Sequence, residues 1–224
     1  MAFLSEGDHD RVSAAVTAAE ADTDGEIVTI VARHSDAYHD VAAHWATALA
    51  LGMLAALSVW PVSALWLYET VAGDWAEVPG PRALFTIALV AATLAFLLGY
   101  LALRWRPLRL ALTPPATKAR RVRRRAVVLF RTAAEARTRG KTGVLLYLSI
   151  DERRAELIAD AAIHAKVPQD VWGAAMAALI VATKDGRPGD GMADAVAQVG
   201  TVLAQHFPRS ADDTNELPDR LIEL

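Results

Sequence analysis

The chain has no cysteine. Disulfides and thiolate metal sites are excluded, and cysteine usage leaves the redox compartment undetermined. Familiar catalytic signatures are missing as well. There is no Gly-x-Ser-x-Gly elbow for a nucleophilic serine and no His-Glu-x-x-His zinc helix. The Gly-rich stretch Lys184–Gly191 lacks the Gly-Lys-Ser/Thr ending of a phosphate loop and joins two predicted helices instead of following a strand. The N-terminus, Met-Ala-Phe-Leu-Ser-Glu-Gly-Asp-His-Asp, has neither the basic nor the apolar region of a secretory signal. The most informative lack is of charge. No Asp, Glu, Lys or Arg occurs between Asp40 and Glu69, and none between Arg82 and Arg104.

Two uncharged apolar runs joined by a short polar link predict a helical hairpin that crosses a bilayer. The first span is placed at residues 45–66 and the second at 83–103. Twenty-two residues give roughly 33 Å of helix, enough for a ~30 Å hydrocarbon core. Trp45, Trp60, Trp66 and Tyr68 flank the first span as interfacial aromatics do, and Tyr100 and Trp105 close the second. Pro61 is expected to kink or end the first helix. The link Glu69–Arg82, with Gly73, Asp74, Glu77, Pro79, Gly80 and Pro81, reads as an exposed loop.

The net charge of -3 hides an asymmetry. Residues 1–40 hold nine acidic and two basic side chains, whereas 104–125 hold nine Lys/Arg and no acid. A basic block abutting a span stays on the cytoplasmic side, so both termini are expected in the cytoplasm of a bacterial inner-membrane protein. Topology accounts for this block without a nucleic-acid partner. The same block, Lys118–Arg125, is suited to anionic membrane lipid at about 1 kcal/mol per residue.

Residues 1–40 hold one helix and one strand, too little to fold alone. Ser5 with Asp8 resembles a capping box for a helix over 6–20, and Asp22-Thr23-Asp24-Gly25 is turn chemistry. Glu26–Ala32 is β-branched and apolar throughout, a buried strand. Ser35 or Asp36 is expected to cap the helix that enters the membrane. The missing partners follow the hairpin. Lys118–Arg139 predicts a basic amphipathic helix capped by Gly140; Gly143–Ile150 a second buried strand; Asp151–Arg154 a charged turn; Ala155–Asp160 a third strand pairing back as a hairpin. Pro168 opens a helix to Thr183, Lys184–Gly191 is a loop, Met192–Phe207 a last helix, and Ser210–Leu224 an acidic tail. The predicted organisation is a split domain: 1–40 its first part, 41–110 the hairpin, 111–209 its second part, and 210–224 the tail. The fold class is α/β (α+β), a small mixed sheet whose first two strands are parallel and joined by a crossover extended into the membrane.

In this order, Leu4-Ser5-Glu6, Thr23-Asp24-Gly25-Glu26-Ile27-Val28, Thr142-Gly143-Val144-Leu145-Leu146-Tyr147-Leu148, Asp151-Glu152-Arg153-Arg154 and Glu156-Leu157-Ile158-Ala159-Asp160 resemble the TPM domain family, the thylakoid-lumen acid-phosphatase-like and photosystem-repair-like domain. The chain is more specifically similar to bacterial membrane proteins in which that domain is interrupted by a transmembrane pair. The resemblance implies a small mixed sheet flanked by helices. Two departures stand out: Asp24-Gly25 replaces the family's Thr-Gly, and Ala161-Ala162-Ile163-His164 replaces a Gly-aromatic-Gly after the third strand. Glycine there would admit close approach of a ligand to backbone, and its replacement argues against carrying over the family's phosphatase activity or metal binding.

Candidate site residues are few. Glu20–Gly25 matches half of a calcium loop, but its twelfth position is Val31, which excludes an EF-hand. A looser Ca²⁺ site would use Asp22 and Asp24. Asp151, Arg153, Arg154, Asp160 and His164 are the catalytic candidates, since Arg and His beside carboxylates can bind and cleave a phosphomonoester. The hairpin, however, separates Asp151–Arg154 from Asp160 and His164. His39 and His44 lie about 140° apart on a helix at 100° per residue and cannot chelate one ion. No reaction is assigned. The expected function is a non-catalytic accessory or regulatory module of a membrane protein complex, with membrane lipid and a membrane protein as partners. The alternative is a phosphatase, metal-dependent or not, at the membrane surface.

Overall fold

The computed structural model describes residues 4–73, 78–133, 142–210 and 217–224. Ser5 caps the first helix, α1 (Glu6–Glu20). Its hydroxyl accepts from the Asp8 N–H, while the Asp8 carboxylate accepts from the Ser5 N–H, the reciprocal capping box. The turn after α1 leads into β1 (Glu26–Ala32), buried at every position. β1 is an inner strand of a mixed sheet. β2 (Gly143–Ser149) runs parallel to it in the register Glu26↔Gly143 to Ala32↔Ser149, and β3 (Arg154–Ala159) returns antiparallel on β2.

The order of the sheet is β3-β2-β1-β4, and β4 is not in the sequence expectation. It consists of Ile222–Glu223, within what reads as an acidic tail, and runs parallel to β1 with Ile30↔Ile222 and Val31↔Glu223 paired. Leu217 and Leu221 beside it are buried. A two-residue strand has no periodicity to read, and only long-range pairing creates it.

The two sheet faces bury different helices. One face carries Ile27, Val31, Val144, Leu146, Leu148 and Leu157. It packs against Val12 and Val16 of α1, Ile163, Leu179, and Met192, Val196, Val199 and Leu203. Those last residues lie on α7 (Ala161–Lys166), α8 (Gly173–Lys184) and α9 (Pro188–His206). α1 and α9 approach closely at Gly200, where an added Cβ would lie 2.5 Å from Ala19 Cβ and 3.0 Å from Ala19 Cα. The opposite face, with Val28, Ile30, Leu145, Tyr147 and Ile158, is covered by Val122, Ala126 and Phe130 of α6 (Pro115–Ala133).

Several boundaries differ from expectation. β3 starts and ends one residue early, because Asp160 serves as the N-cap position of α7. Pro168 precedes a 3-10 turn, Gln169–Trp172, and the helix proper begins at Gly173. The Gly/Pro loop shrinks to Asp185–Arg187, since Pro188 occupies the first turn of α9, where its missing N–H costs nothing. The expected Gly140 cap, the end of its helix beyond Ala133, link residues Asp74 and Glu77, and tail residues 211–216 lie outside the described residues.

The chain divides into two compact units: a sheet unit, Met1–Asp36 with Pro115–Leu224, and a hairpin unit, Ala37–Pro114. In the latter, α2 (His39–Val59) packs against α4 (Pro81–Ala102). Their backbones come close at Gly99, where a Cβ would lie 2.5 Å from Leu49 Cδ1 and 3.6 Å from Ala46 Cα. Neither Ser35 nor Asp36 caps α2. Tyr38 holds that position in the left-handed region at φ 53, without a side-chain cap. The first apolar run is two helices, because the chain breaks at Trp60 (φ -121, ψ 74) and α3 (Pro61–Ala72) begins at the proline. α5 (Arg106–Ala111) follows α4. Among the described residues, two helices, α2 and α4, are long and apolar enough to cross a membrane.

Candidate functional site

The sheet sorts the candidate residues into two groups. At the end where β2 turns into β3, the turn Ile150–Arg153 closes with the Arg153 N–H donating to the Ile150 carbonyl, and Arg153 takes a left-handed φ of 51. Glu152 folds back from this turn and is buried. Its carboxylate accepts the Ser35 N–H at 2.9 Å and the Ser149 hydroxyl. The Ser35 hydroxyl meets the Tyr147 hydroxyl at 2.9 Å. Burial raises the Tyr147 pKa, and its phenol stays protonated as a hydrogen-bonding group. Asp36 pairs with Arg121 of α6 at 3.1 Å, and the Arg154 guanidinium donates to the Pro115 carbonyl at 3.1 Å.

This network holds the chain where it leaves the sheet after β1. Ser149 has a carboxylate partner, as a nucleophile would, but it is fully buried. Substrate has no route to its oxygen. Its signal in the sequence is slight: a Glu three residues after a strand-ending Ser, which reads only as a charged turn.

Asp160 and His164 lie at the other end of the hairpin, since Ser149 pairs with Arg154 there and Val144 with Ala159 here. Asp160 is buried, and its carboxylate accepts the Gly143 N–H at 3.0 Å. His164 is exposed on α7. The same end receives the turn before β1, for the Thr142 hydroxyl donates to the Asp24 carbonyl at 2.8 Å. Asp24 and Asp160 are therefore brought to neighbouring residues, Thr142 and Gly143. The Asp24 carboxylate accepts the Ser210 N–H at 2.7 Å, and Asp22 is exposed while its carbonyl accepts the Arg209 N–H. Thr23 is buried, and its hydroxyl donates to the Phe207 carbonyl. Oxygens of the turn thus bind backbone of the segment after α9. Among the described residues, no three His, Asp or Glu side chains converge to hold a metal.

A further titratable group figures in the sequence only as the first position of the half calcium loop, with no sign of its burial. Glu20, the last residue of α1, accepts the Ile27 N–H at 2.6 Å, and its other oxygen is buried without a donor. Burial, with Glu26 and Asp219 nearby, pushes its pKa up to about 8. Neutral Glu20 can itself donate toward Asp219, whose carboxylate also accepts the Thr17 hydroxyl at 2.8 Å. Asp219 lies almost the whole chain away, so no local pattern announces the pair.

Comparison with known proteins agrees with this architecture. Residues 110–202 match the model of the TPM domain. The matched stretch runs from α5 into α9 and omits α1 and β1, which the structure places in the same unit as β2 and β3. The fold is also similar to the NMR structure of the BA42 protein from the psychrophilic bacterium Bizionia argentinensis. The TM-score is 0.56 and the sequence identity 17%, with 100% of this chain and 97% of that one covered. No curated protein matches the chain significantly. The match to the TPM domain thus rests on residues 110–202, which fold in one unit with α1 and β1.

Proposed function

We propose that the hairpin unit crosses the bacterial inner membrane twice and that the TPM unit serves, at the cytoplasmic face, as a non-catalytic accessory or regulatory part of a membrane protein complex. One observation carries the membrane assignment. Only 22% and 11% of the most apolar windows of α2 and α4 are buried. Leu49, Leu51, Phe85, Leu89, Leu94, Leu97, Leu98 and Leu101 stand half-exposed or more. A core helix would bury such side chains, and an apolar surface of this extent facing water is rare in monomers. At 21 and 22 residues the helices are roughly 32 and 33 Å long, matched to a ~30 Å core.

The accessory role rests on what the sheet unit does with its polar groups. Glu152, Ser149, Asp160 and Asp24 hold backbone and neighbouring side chains in place. The catalytic candidates fall at two ends of one hairpin. The test uses the full chain. Carbonate-washed membranes are expected to retain it, and a reporter fused at Leu224 is expected to report the cytoplasm. The purified protein should leave a phosphomonoester intact with or without Ca²⁺ or Mg²⁺, and a membrane protein should co-purify with it. Turnover abolished by Asp151→Asn or Asp22→Asn would replace this reading with the phosphatase.

A further inference from the structure

Inside the hairpin unit, a cavity of about 350 Å³ opens where the start of α2, the end of α4 and α5 meet. It is lined by His39, Ala42, Tyr100, Leu103, Arg104 and Arg109. Its polar lining is all donor or donor-capable: two guanidinium groups, a phenol and an imidazole. Among the described residues, no carboxylate lines it. Asp40, next to His39 in sequence, is not among its walls.

These donors lack acceptors. Among the described residues, Arg104 and Arg109 make no side-chain ion pair, and the side chains of His39 and Tyr100 make no hydrogen bond; Tyr100 only stacks on Phe96. The Arg109 Nε is buried with no hydrogen-bond partner. A buried charged donor left unmade is expensive, and an oxyanion between two guanidinium groups removes that cost with the strongest class of hydrogen bond available.

The surroundings narrow the class of anion. The cavity has room for more than a phosphate, and Ala42 and Leu103 supply apolar wall. It sits at the end of the hairpin that carries Trp45 and Trp105, both exposed, as aromatic side chains at headgroup depth are. Exposed Leu97, Leu98 and Leu101 continue along α4 from the same end. A ligand with a phosphate at one end and acyl chains at the other meets both surfaces. A choline or ethanolamine ammonium finds no carboxylate here, so the lining selects a net negative headgroup.

We infer that this cavity binds the phosphate headgroup of an anionic glycerophospholipid, with Arg104 and Arg109 as its principal ligands and Tyr100 and His39 as secondary donors. The inference rests on the membrane reading above and names a site within it. Native mass spectrometry and thermal unfolding of the full chain in an uncharged detergent test it, with phosphatidylglycerol, phosphatidylcholine and inorganic phosphate as probes.

One retained phosphatidylglycerol per chain is expected, with a rise in unfolding temperature that phosphatidylcholine does not give. Arg104→Gln/Arg109→Gln should weaken retention at least tenfold, and Arg104→Gln alone, at an exposed residue, should weaken it severalfold with unfolding in the absence of lipid unchanged. Lys184→Gln/Arg220→Gln, at exposed residues of the sheet unit outside the basic block, removes the same charge and should leave retention intact. Equal loss in that control, or undiminished retention in the Arg104 and Arg109 variants, would overturn the site. The same stabilisation by inorganic phosphate, without lipid preference, would overturn the lipid assignment. Release of the chain by carbonate would overturn the membrane reading beneath it, whereas an integral protein that retains no phosphatidylglycerol refutes only this site.

Discussion

Glu20 links the acid–base behaviour of the fold to one carboxyl group. Its pKa is about 8 in the folded chain, through burial first and neighbouring acids second, against an ordinary value of 4.5. Below about pH 4.5 the group is protonated whether the chain is folded or not. Between 4.5 and 8 the unfolded chain gives up this proton and the folded chain keeps it, so stability falls as pH rises. Above 8 both forms are ionised and the loss is complete. Glu20→Gln keeps an acceptor for the Ile27 N–H and a donor toward Asp219, yet carries no proton to lose. Its unfolding temperature should match that of the native chain near pH 4.5 and exceed it at pH 8.5, read by thermal melts across that range; parallel profiles would assign the pH dependence elsewhere. Thr29 poses the converse case. It is buried on the α1 and α9 face of the sheet, and its hydroxyl has no partner. Thr29→Val keeps the β-branched shape and removes an unsatisfied group, so a gain of about 1 kcal/mol is expected in denaturant unfolding.

Among the elements, those legible in the sequence were the ones specified locally. α1 and β1 have their expected bounds because a capping box starts one and Asp22–Gly25 separates it from the other. β2 and β3 were visible as apolar runs around a charged turn. α7 was not, for six residues carry too little periodicity, and β4 was hidden within a polar tail. The polar network was hidden for the same reason: Glu152 bonds Ser35, 117 residues away, and spacing along the chain says nothing of that. β4 nonetheless matters energetically. The Leu224 N–H donates to Val31 and the Arg33 N–H to Leu224, tying the segment to β1. Leu221 is 4% exposed and belongs to the larger core cluster. Leu221→Ala should cost about 2–5 kcal/mol in denaturant unfolding, a large share of the 5–15 kcal/mol typical of a domain. A truncation after Ser210 should lose more, since Leu217 goes with it. A tail that merely hung in solvent would show neither effect.

For the whole molecule, the hairpin unit is an insertion between two parallel strands, and this has a consequence for folding. A parallel β1–β2 pair needs a crossover, and α6 by itself is long enough to supply one. The ends left by removing Ala37–Pro114 are near each other. Asp36 is ion-paired to Arg121, six residues into α6 from Pro115, which is roughly 9 Å along a helix. A Gly/Ser linker of about ten residues has a root-mean-square span of about 17 Å and bridges that gap without strain. Such a chain, 1–36 joined through the linker to 115–224, keeps both core clusters, the capping box and all four strands. It should be recovered without detergent, unfold in one cooperative transition, and retain the Glu20 pH dependence. It should also lose the phosphatidylglycerol binding assigned to Arg104 and Arg109, because both leave with the insertion. Aggregation of the linked chain, or a non-cooperative melt, would show that the sheet unit depends on the hairpin for its fold. A cooperative melt would instead show that the sheet unit is complete in itself and that the hairpin, which enters and leaves through one crossover, contributes nothing its fold requires.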